Sequence, residues 1–172
     1  MRTGLVERVL SRGDLERVLA LQDAIKAALP RQDFLVLTGR EQMDYILSDG
    51  GYGLGVFEGD QLRGAWLLYY PFEREDNLAR LLGLAQGNVA HVELVMLDPA
   101  LRGQGLHGRM TEKLVRHAAQ DGRFTHLAAT VHPENAASLH GFLKNGFTVH
   151  STQPLYGGLP RSILMRALER GQ

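Results

Sequence analysis

Apolar residues recur at Leu15, Val18, Leu19, Ile25, Ala28 and Leu29, the spacing of one helix face, until Pro30 stops the run. Ser11-Arg12-Gly13-Asp14 stands ahead of it in the form of a capping box. Thr38-Gly39-Arg40-Glu41 has the same form before a shorter run, Met43, Ile46 and Leu47, which Gly50 and Gly51 close. Leu5–Leu10 reads as a first strand. Tyr52–Phe57 and Leu62–Tyr70 flank Glu58-Gly59-Asp60-Gln61 and predict a hairpin. Asp76–Leu84 reads as a helix. Val89–Leu97 is apolar on both faces toward its end, which marks a central strand, and Asp98-Pro99 breaks it. A helix over Leu106–Ala119 closes at Gly122, and a strand follows over Leu127–Val131. A helix runs from His132-Pro133-Glu134-Asn135 to Lys144-Asn145, with Gly146 as its stop. Phe147–Val149 and Ile163–Leu168 are the last strands, around a Gly157-Gly158-Leu159-Pro160 turn. The order is mixed α/β of the α+β kind, not a regular βαβ alternation. No repeat, low-complexity tract or linker interrupts the 172 residues, so one domain over 1–172 is expected.

Composition narrows the function by exclusion. Basic and acidic residues balance at 19 each, so bulk charge points to no nucleic-acid partner. With no cysteine there is no disulfide framework, no thiolate catalysis and no cysteine-ligated metal, and no metal is expected. No apolar run approaches the ~18–20 residues of a membrane span. Met1–Arg8 meets charge early and has no leader-like core. A cytoplasmic protein without membrane partners is the expectation. Glycine, at 20 residues, exceeds the usual ~7%.

Three of those glycines lie in Asp98-Pro99-Ala100-Leu101-Arg102-Gly103-Gln104-Gly105-Leu106-His107-Gly108-Arg109, between a buried strand and a helix. Glycine lets backbone approach an anion closely, and the first helical turn offers unpaired N–H groups and the positive dipole end. Arg102 and Arg109 add formal charge. The spacing lacks the Gly-Lys-Ser/Thr ending of a P-loop, and its late position does not suit a dinucleotide fingerprint. On this segment alone, a pyrophosphate cradle competes with a plain glycine-rich turn.

The second segment is His132-Pro133-Glu134-Asn135-Ala136-Ala137-Ser138-Leu139, continuing to Phe142-Leu143-Lys144-Asn145-Gly146-Phe147. Together the two resemble the GNAT superfamily of N-acetyltransferases: the first its R-x-x-G-x-G/A acyl-CoA loop, the second its Asn-Ala-x-Ala/Ser…Gly-Phe helix. The resemblance implies a mixed, mostly antiparallel sheet flanked by helices and splayed between the central strand and the next, with acetyl-CoA as co-substrate. It implies that Val95, Met96 and Leu97 present backbone to the pantetheine arm. Arg102, Gly103, Gln104, Gly105, Leu106, His107 and Gly108 would hold the pyrophosphate. Asn135 and Ser138 would face the pantetheine, although Asn135 also fits a plain helix N-cap. Asn135, Ser138 and Phe142 are spaced i, i+3, i+7 and share a face.

Acetylation needs a neutral amine, so a base is required. Strand alternation puts His91, Glu93, Val95 and Leu97 on one face. A carboxylate among valine and leucine is desolvated toward a useful pKa, and many GNAT proteins place a glutamate there. Glu93 is therefore the candidate base, against a structural carboxylate paired with arginine; His91 is the reserve. The tyrosine general acid usual in the family aligns with Phe142, which has no proton to give; Tyr156 and Tyr45 are the remaining phenols. A second base position aligns with Thr130, which cannot serve. His107 stands where glycine or alanine is commoner. In similar proteins the acceptor enters between the early helices (near Asp33–Asp44), the hairpin and the Tyr156–Arg161 loop. The resulting reading is direct acetyl transfer from acetyl-CoA to a primary amine of a small molecule or peptide, by a monomer or homodimer. The alternatives are a non-catalytic acyl-CoA-binding domain, or transfer of another acyl group.

Overall fold

The structure, a computed structural model, describes residues 4–169; Met1-Arg2-Thr3, part of the segment expected to carry no leader, lies outside the described residues. Among the described residues, seven strands form one open sheet: β1 (Leu5–Val9), β2 (Gly51–Glu58), β3 (Gln61–Tyr69), β4 (Val89–Leu97), β5 (His126–Val131), β6 (Thr148–Leu155) and β7 (Leu159–Ala167). Their order across the sheet is β1-β2-β3-β4-β5-β7-β6. Every neighbouring pair is antiparallel except β4 and β5. That parallel pair holds only through Val89↔His126, Ala90↔Leu127 and His91↔Ala128. Past His91 the β4 edge is unpaired on this side, while β5 stays paired with β7 to Val131↔Ser162. The mixed, splayed sheet that the family resemblance implies is present.

Among the described residues, five α-helices cover the two faces: α1 (Leu15–Ala28), α2 (Arg40–Ile46), α3 (Ala79–Leu82), α4 (Leu106–Asp121) and α5 (Ala136–Lys144). On one face Met110, Leu114 and Phe142 from α4 and α5 pack on Trp66, Leu68, Leu127 and Ala129. On the other, Val18, Leu21, Met43 and Ile46 from α1 and α2 pack on Leu67, Tyr69, Leu94 and Met96. Strand β3 buries both faces, as a central strand must.

The Ser11–Asp14 capping box forms, with the Ser11 backbone N–H donating to Asp14 Oδ2 at 2.9 Å. Two hydrogen bonds of 2.8 Å from the Arg8 guanidinium hold the Asp14 carboxyl down at about 2. The second box does not form: Gly39 is the N-cap of α2, without a side-chain cap, and Thr38 Oγ1 donates to Glu93 instead. The helix expected over Asp76–Leu84 shrinks to Ala79–Leu82, ended by Gly83 at φ +69°. The last hairpin is longer than the sequence suggests, and its turn falls at Tyr156–Gly158, with Leu159 and Pro160 already in β7. Strand β6 is an outer strand whose side chains are mostly solvent-facing, so it carries little apolar alternation, and Pro154 is tolerated because the strand has only one neighbour.

Candidate active site

Strands β4 and β5 run parallel, and both α4 and α5 begin just after their carboxyl ends. The gap therefore opens toward two helix N-termini. Asp98 starts the connection to α4: its Oδ1 accepts from the Ala100 N–H at 2.9 Å, and Arg63 Nε donates to its Oδ2 at 2.9 Å. The chain then turns through Gly103 (φ +80°) and Gly105 (φ +74°), where any side chain would be strained. A Cβ at either position would meet nothing within 4 Å, so these glycines serve the backbone path and leave open space above it. Gly105 caps α4, and the first helical N–H to find an intrahelical carbonyl is that of Arg109, 3.1 Å from Gly105 O. The N–H groups of Leu106, His107 and Gly108 precede it and have no carbonyl one helical turn back to pair with. This donor set suits a pyrophosphate, and the unpaired β4 edge suits an amide-bearing arm, so the residues present fit coenzyme A.

The side chains of the loop divide. Leu106 is buried in the core, so only its backbone is available. Arg102 is exposed and makes no ion pair among the described residues. Arg109 is committed elsewhere: with Lys113 it pairs with Glu7 on β1, which lowers the Glu7 pKa. The expected local positive charge therefore rests on Arg102 and the helix terminus alone. The His107 imidazole turns between α4 and α5, against Gly141, where a Cβ would come within 2.8 Å of Cε1. Burial lowers its pKa.

On β4 the structure corrects the expected alternation. Leu67 pairs with Leu94 and Leu68 with Val92, so Glu93 is the extra residue of a β-bulge. The bulge shifts the side chains by one. Glu93, Leu94 and Met96 face the α1–α2 side, while Val95 and Leu97 face the α4 side. His91, Glu93, Val95 and Leu97 do not share a face, and valine and leucine are not what desolvates Glu93. Its Oε1 accepts from Thr38 Oγ1 and from Gln42 Nε2, both at 3.1 Å. Packed atoms crowd the carboxylate although one flank reaches solvent. Burial, helped by the negative charge of Asp76, raises its pKa to about 7, against the lowering effect of Thr38. No arginine pairs with it among the described residues. His91 is fully buried, and its Nε2 accepts from the Leu78 N–H at 3.1 Å; burial lowers its pKa to about 4. It is a satisfied core histidine and no base.

Asn135 is the N-cap of α5, its Oδ1 accepting from the Ser138 N–H at 3.4 Å. Both residues are half-buried. Phe142 is core, edge-on to Phe147 at 5.1 Å between centroids.

A polar knot ties the α1–α2 connection to the far side of the gap. His132 Nδ1 accepts from the Glu134 N–H at 3.1 Å, so the neutral ring carries its proton on Nε2, 3.3 Å from Asp33 Oδ2. Arg31 pairs with Asp33 and Glu134, and buried Arg161 donates to the Asp33 carbonyl at 2.7 Å. Gln22, also buried, makes two hydrogen bonds to the Thr38 backbone, at 2.8 and 3.0 Å. A surface cavity of about 570 Å³, lined by Gly39, Glu41, Gln42, Tyr45 and Arg74, opens beside the glutamine that holds Glu93. The family resemblance implies an acceptor entrance in this region, but does not single out Thr38, Gln42 or the knot. Thr38 is hidden by its resemblance to a cap, and the others meet the site only through the fold.

An acetyltransferase of the GNAT family from Streptococcus pneumoniae shares the fold over 96% of this chain and 99% of its own, with a TM-score of 0.71 at 18% identity. The ribosomal-protein-S18-alanine N-acetyltransferase of Escherichia coli does so over 98% and 96%, at 0.69 and 14%. NAA60 of Arabidopsis thaliana, solved with acetyl-CoA, does so over 95% and 98%, at 0.77 and 11%. No curated protein matches the chain by sequence. A model of the acetyltransferase (GNAT) family matches residues 18–147, three-quarters of the chain, and carries both the glycine loop and the Asn135 helix. The chain belongs to the GNAT acetyltransferase family and is an acyltransferase.

Proposed function

We propose that this protein transfers the acetyl group of acetyl-CoA directly to a primary amine, with Glu93 as the base. The observation that carries the reading is the placement of Glu93: an unpaired carboxylate at the gap, on the face opposite the α4 side, with its pKa raised by burial to about 7. A base in that range takes an ammonium proton at neutral pH without being fully protonated beforehand. When bound, acetyl-CoA supplies an activated thioester. The backbone of Gly103 to Gly108 and the Arg102 side chain hold its pyrophosphate. Unpaired β4 backbone along Val95, Met96 and Leu97, with Asn135 and Ser138 opposite, lines the arm. Thr38 and Gln42 fix one oxygen of Glu93 and leave Oε2 for the amine. With no cysteine in the chain, a thioester-linked acyl-enzyme is excluded, which supports transfer within a ternary complex.

Phe142, buried and without a hydroxyl, favours a second reading, an acyl-CoA-binding domain without turnover. One experiment separates them. Acetyl-CoA is mixed with a panel of small and peptide amines, and thiol release is followed for the wild type and Glu93→Gln. Amine-dependent release that falls in Glu93→Gln supports transfer. Tight CoA binding by calorimetry without release across the panel supports the binding domain, and no CoA binding refutes both.

A further inference from the structure

The transfer reading leaves the departing sulfur without a proton donor, because Phe142 fills the position where the family resemblance expects a phenol. A phenol is nonetheless at the gap. From the last paired residues, His91 and Ala128, two residues further along each strand lead to Glu93 on β4 and Thr130 on β5. These flank the opening at one level. Leu127, Ala129 and Val131 point to the α4 side, so Thr130 points to the side that Glu93 faces. The Tyr156 hydroxyl lies 3.0 Å from Thr130 Oγ1.

Tyr156 reaches this place from the β6–β7 turn with a backbone that a bulky residue rarely adopts, φ +51°. Gly157 and Gly158 follow it, so the turn has glycines to spare for a left-handed position. Half of the Tyr156 surface, 50%, is open to solvent, and core packing does not account for the strained placement. Its hydroxyl senses the site: crowding raises its pKa, with contributions from the charges of Glu93 and Asp76, opposed by the Thr130 hydrogen bond and Arg161. The phenol therefore keeps its proton at neutral pH.

Resting on the transfer reading, we propose that Tyr156, positioned by Thr130, is the general acid that protonates the departing thiolate of CoA, in the role that Phe142 cannot fill. Glu93 accepts one proton from the ammonium. The freed nitrogen bonds to the acetyl carbon, the carbon–sulfur bond breaks, and its electron pair passes to sulfur. The phenol proton moves to that sulfur, and the phenolate recovers a proton from the acylated nitrogen through solvent. The balance is amide, free thiol and the one proton held by Glu93.

The test uses the full chain with CoA and acetyl-CoA, comparing wild type, Tyr156→Phe and Thr130→Val. Bound CoA is titrated by the ultraviolet absorbance of its thiolate, which needs no acceptor. A phenol donating to the thiolate favours the charged form, so the bound thiol of Tyr156→Phe titrates higher than wild type by about one pH unit. With an acceptor, Tyr156→Phe lowers kcat about 10²-fold with KM within twofold, and Thr130→Val lowers kcat about tenfold. Identical thiol titrations, an unchanged kcat, or a raised KM at constant kcat each overturn the assignment; the last makes Tyr156 an acceptor contact. Failure of the wild type to bind CoA overturns the transfer reading and this assignment with it. Wild-type binding with a thiol titration unmoved by Tyr156→Phe overturns the assignment alone.

Discussion

Replacing Glu93 by glutamine removes a charge that the fold has to desolvate, so it should strengthen the protein while disabling it. The carboxyl has an ordinary value of 4.5 and stands at about 7 in the folded chain, because burial penalises the ionised form. At about 1.36 kcal/mol per pH unit, ionising it in place costs at most about 3.5 kcal/mol relative to the unfolded chain. Its solvent-facing flank screens that to about 1–2 kcal/mol. The sign follows from the order of the two values. Below pH 4.5 both states are protonated and the cost is absent; it grows as pH rises toward 7 and is constant above. The amide of the variant keeps an oxygen to accept from Thr38 and Gln42 and carries no charge. Urea unfolding of wild type and Glu93→Gln should therefore coincide near pH 4 and separate by about 1–2 kcal/mol, in favour of the variant, at pH 8. A difference that is the same at both pH values would refute the claim that burial of this carboxylate is what sets its pKa. On the activity side, wild-type kcat/KM should rise with pH through an apparent value near 7, and the variant should lack that limb.

Three other outcomes follow from the site and its supports. Gly105→Glu puts an acidic side chain over the α4 N-terminus at φ +74°, so CoA affinity by calorimetry should fall at least about 10²-fold, with about 1–2 kcal/mol of stability lost to the backbone. Gly141→Ala should gain about 1 kcal/mol of helix stability only when His107 is also alanine, because the ring otherwise meets the new Cβ; equal effects in both backgrounds, by thermal unfolding, would contradict the packing. His91 titrates at about 4 folded against an ordinary 6.5, so stability should fall as pH drops from 6.5 to 4. His91→Ala should lose about 2–4 kcal/mol, from its cavity and the orphaned Leu78 N–H, and should weaken that pH dependence.

Where an element carries its own local signal, the sequence sufficed. The α1 stripe, the Gly59 hairpin and the doubly apolar β4 are each visible within a dozen residues. The glycine loop and the Asn135 helix were legible together because their chemistry is local and paired. What escaped was what depends on a neighbour. The Glu93 bulge exists only in the pairing of β4 with β3, and nothing in Val92-Glu93-Leu94 announces it. For Glu93 the strand alternation names the wrong neighbours: its carboxylate meets Thr38 and Gln42, and Val95 and Leu97 face the other side. Thr38 looked like a cap because its neighbours suit one, and only the fold shows that its hydroxyl has a stronger partner. Strand β6 runs on to Leu155, beyond the expected Val149, because an outer strand in water need not alternate. Tyr156 was one phenol among several until Thr130 and the register of β4 with β5 gave it a location.

The early parting of β4 and β5 bears on how the molecule would behave in a cell. Three register pairs join a four-stranded half to a three-stranded half, and the edge beyond them has peptide groups with no strand to meet. On the proposed reading, an amide-bearing arm laid along that edge would act as a missing strand. Each bound molecule would then contribute to folding as well as to chemistry, by about 2.7 kcal/mol when the ligand stands at a hundred times its Kd. The protein's lifetime against unfolding and proteolysis would thus rise and fall with the supply of its own acyl donor, an abundance control written into the hydrogen bonds that the sheet leaves unmade.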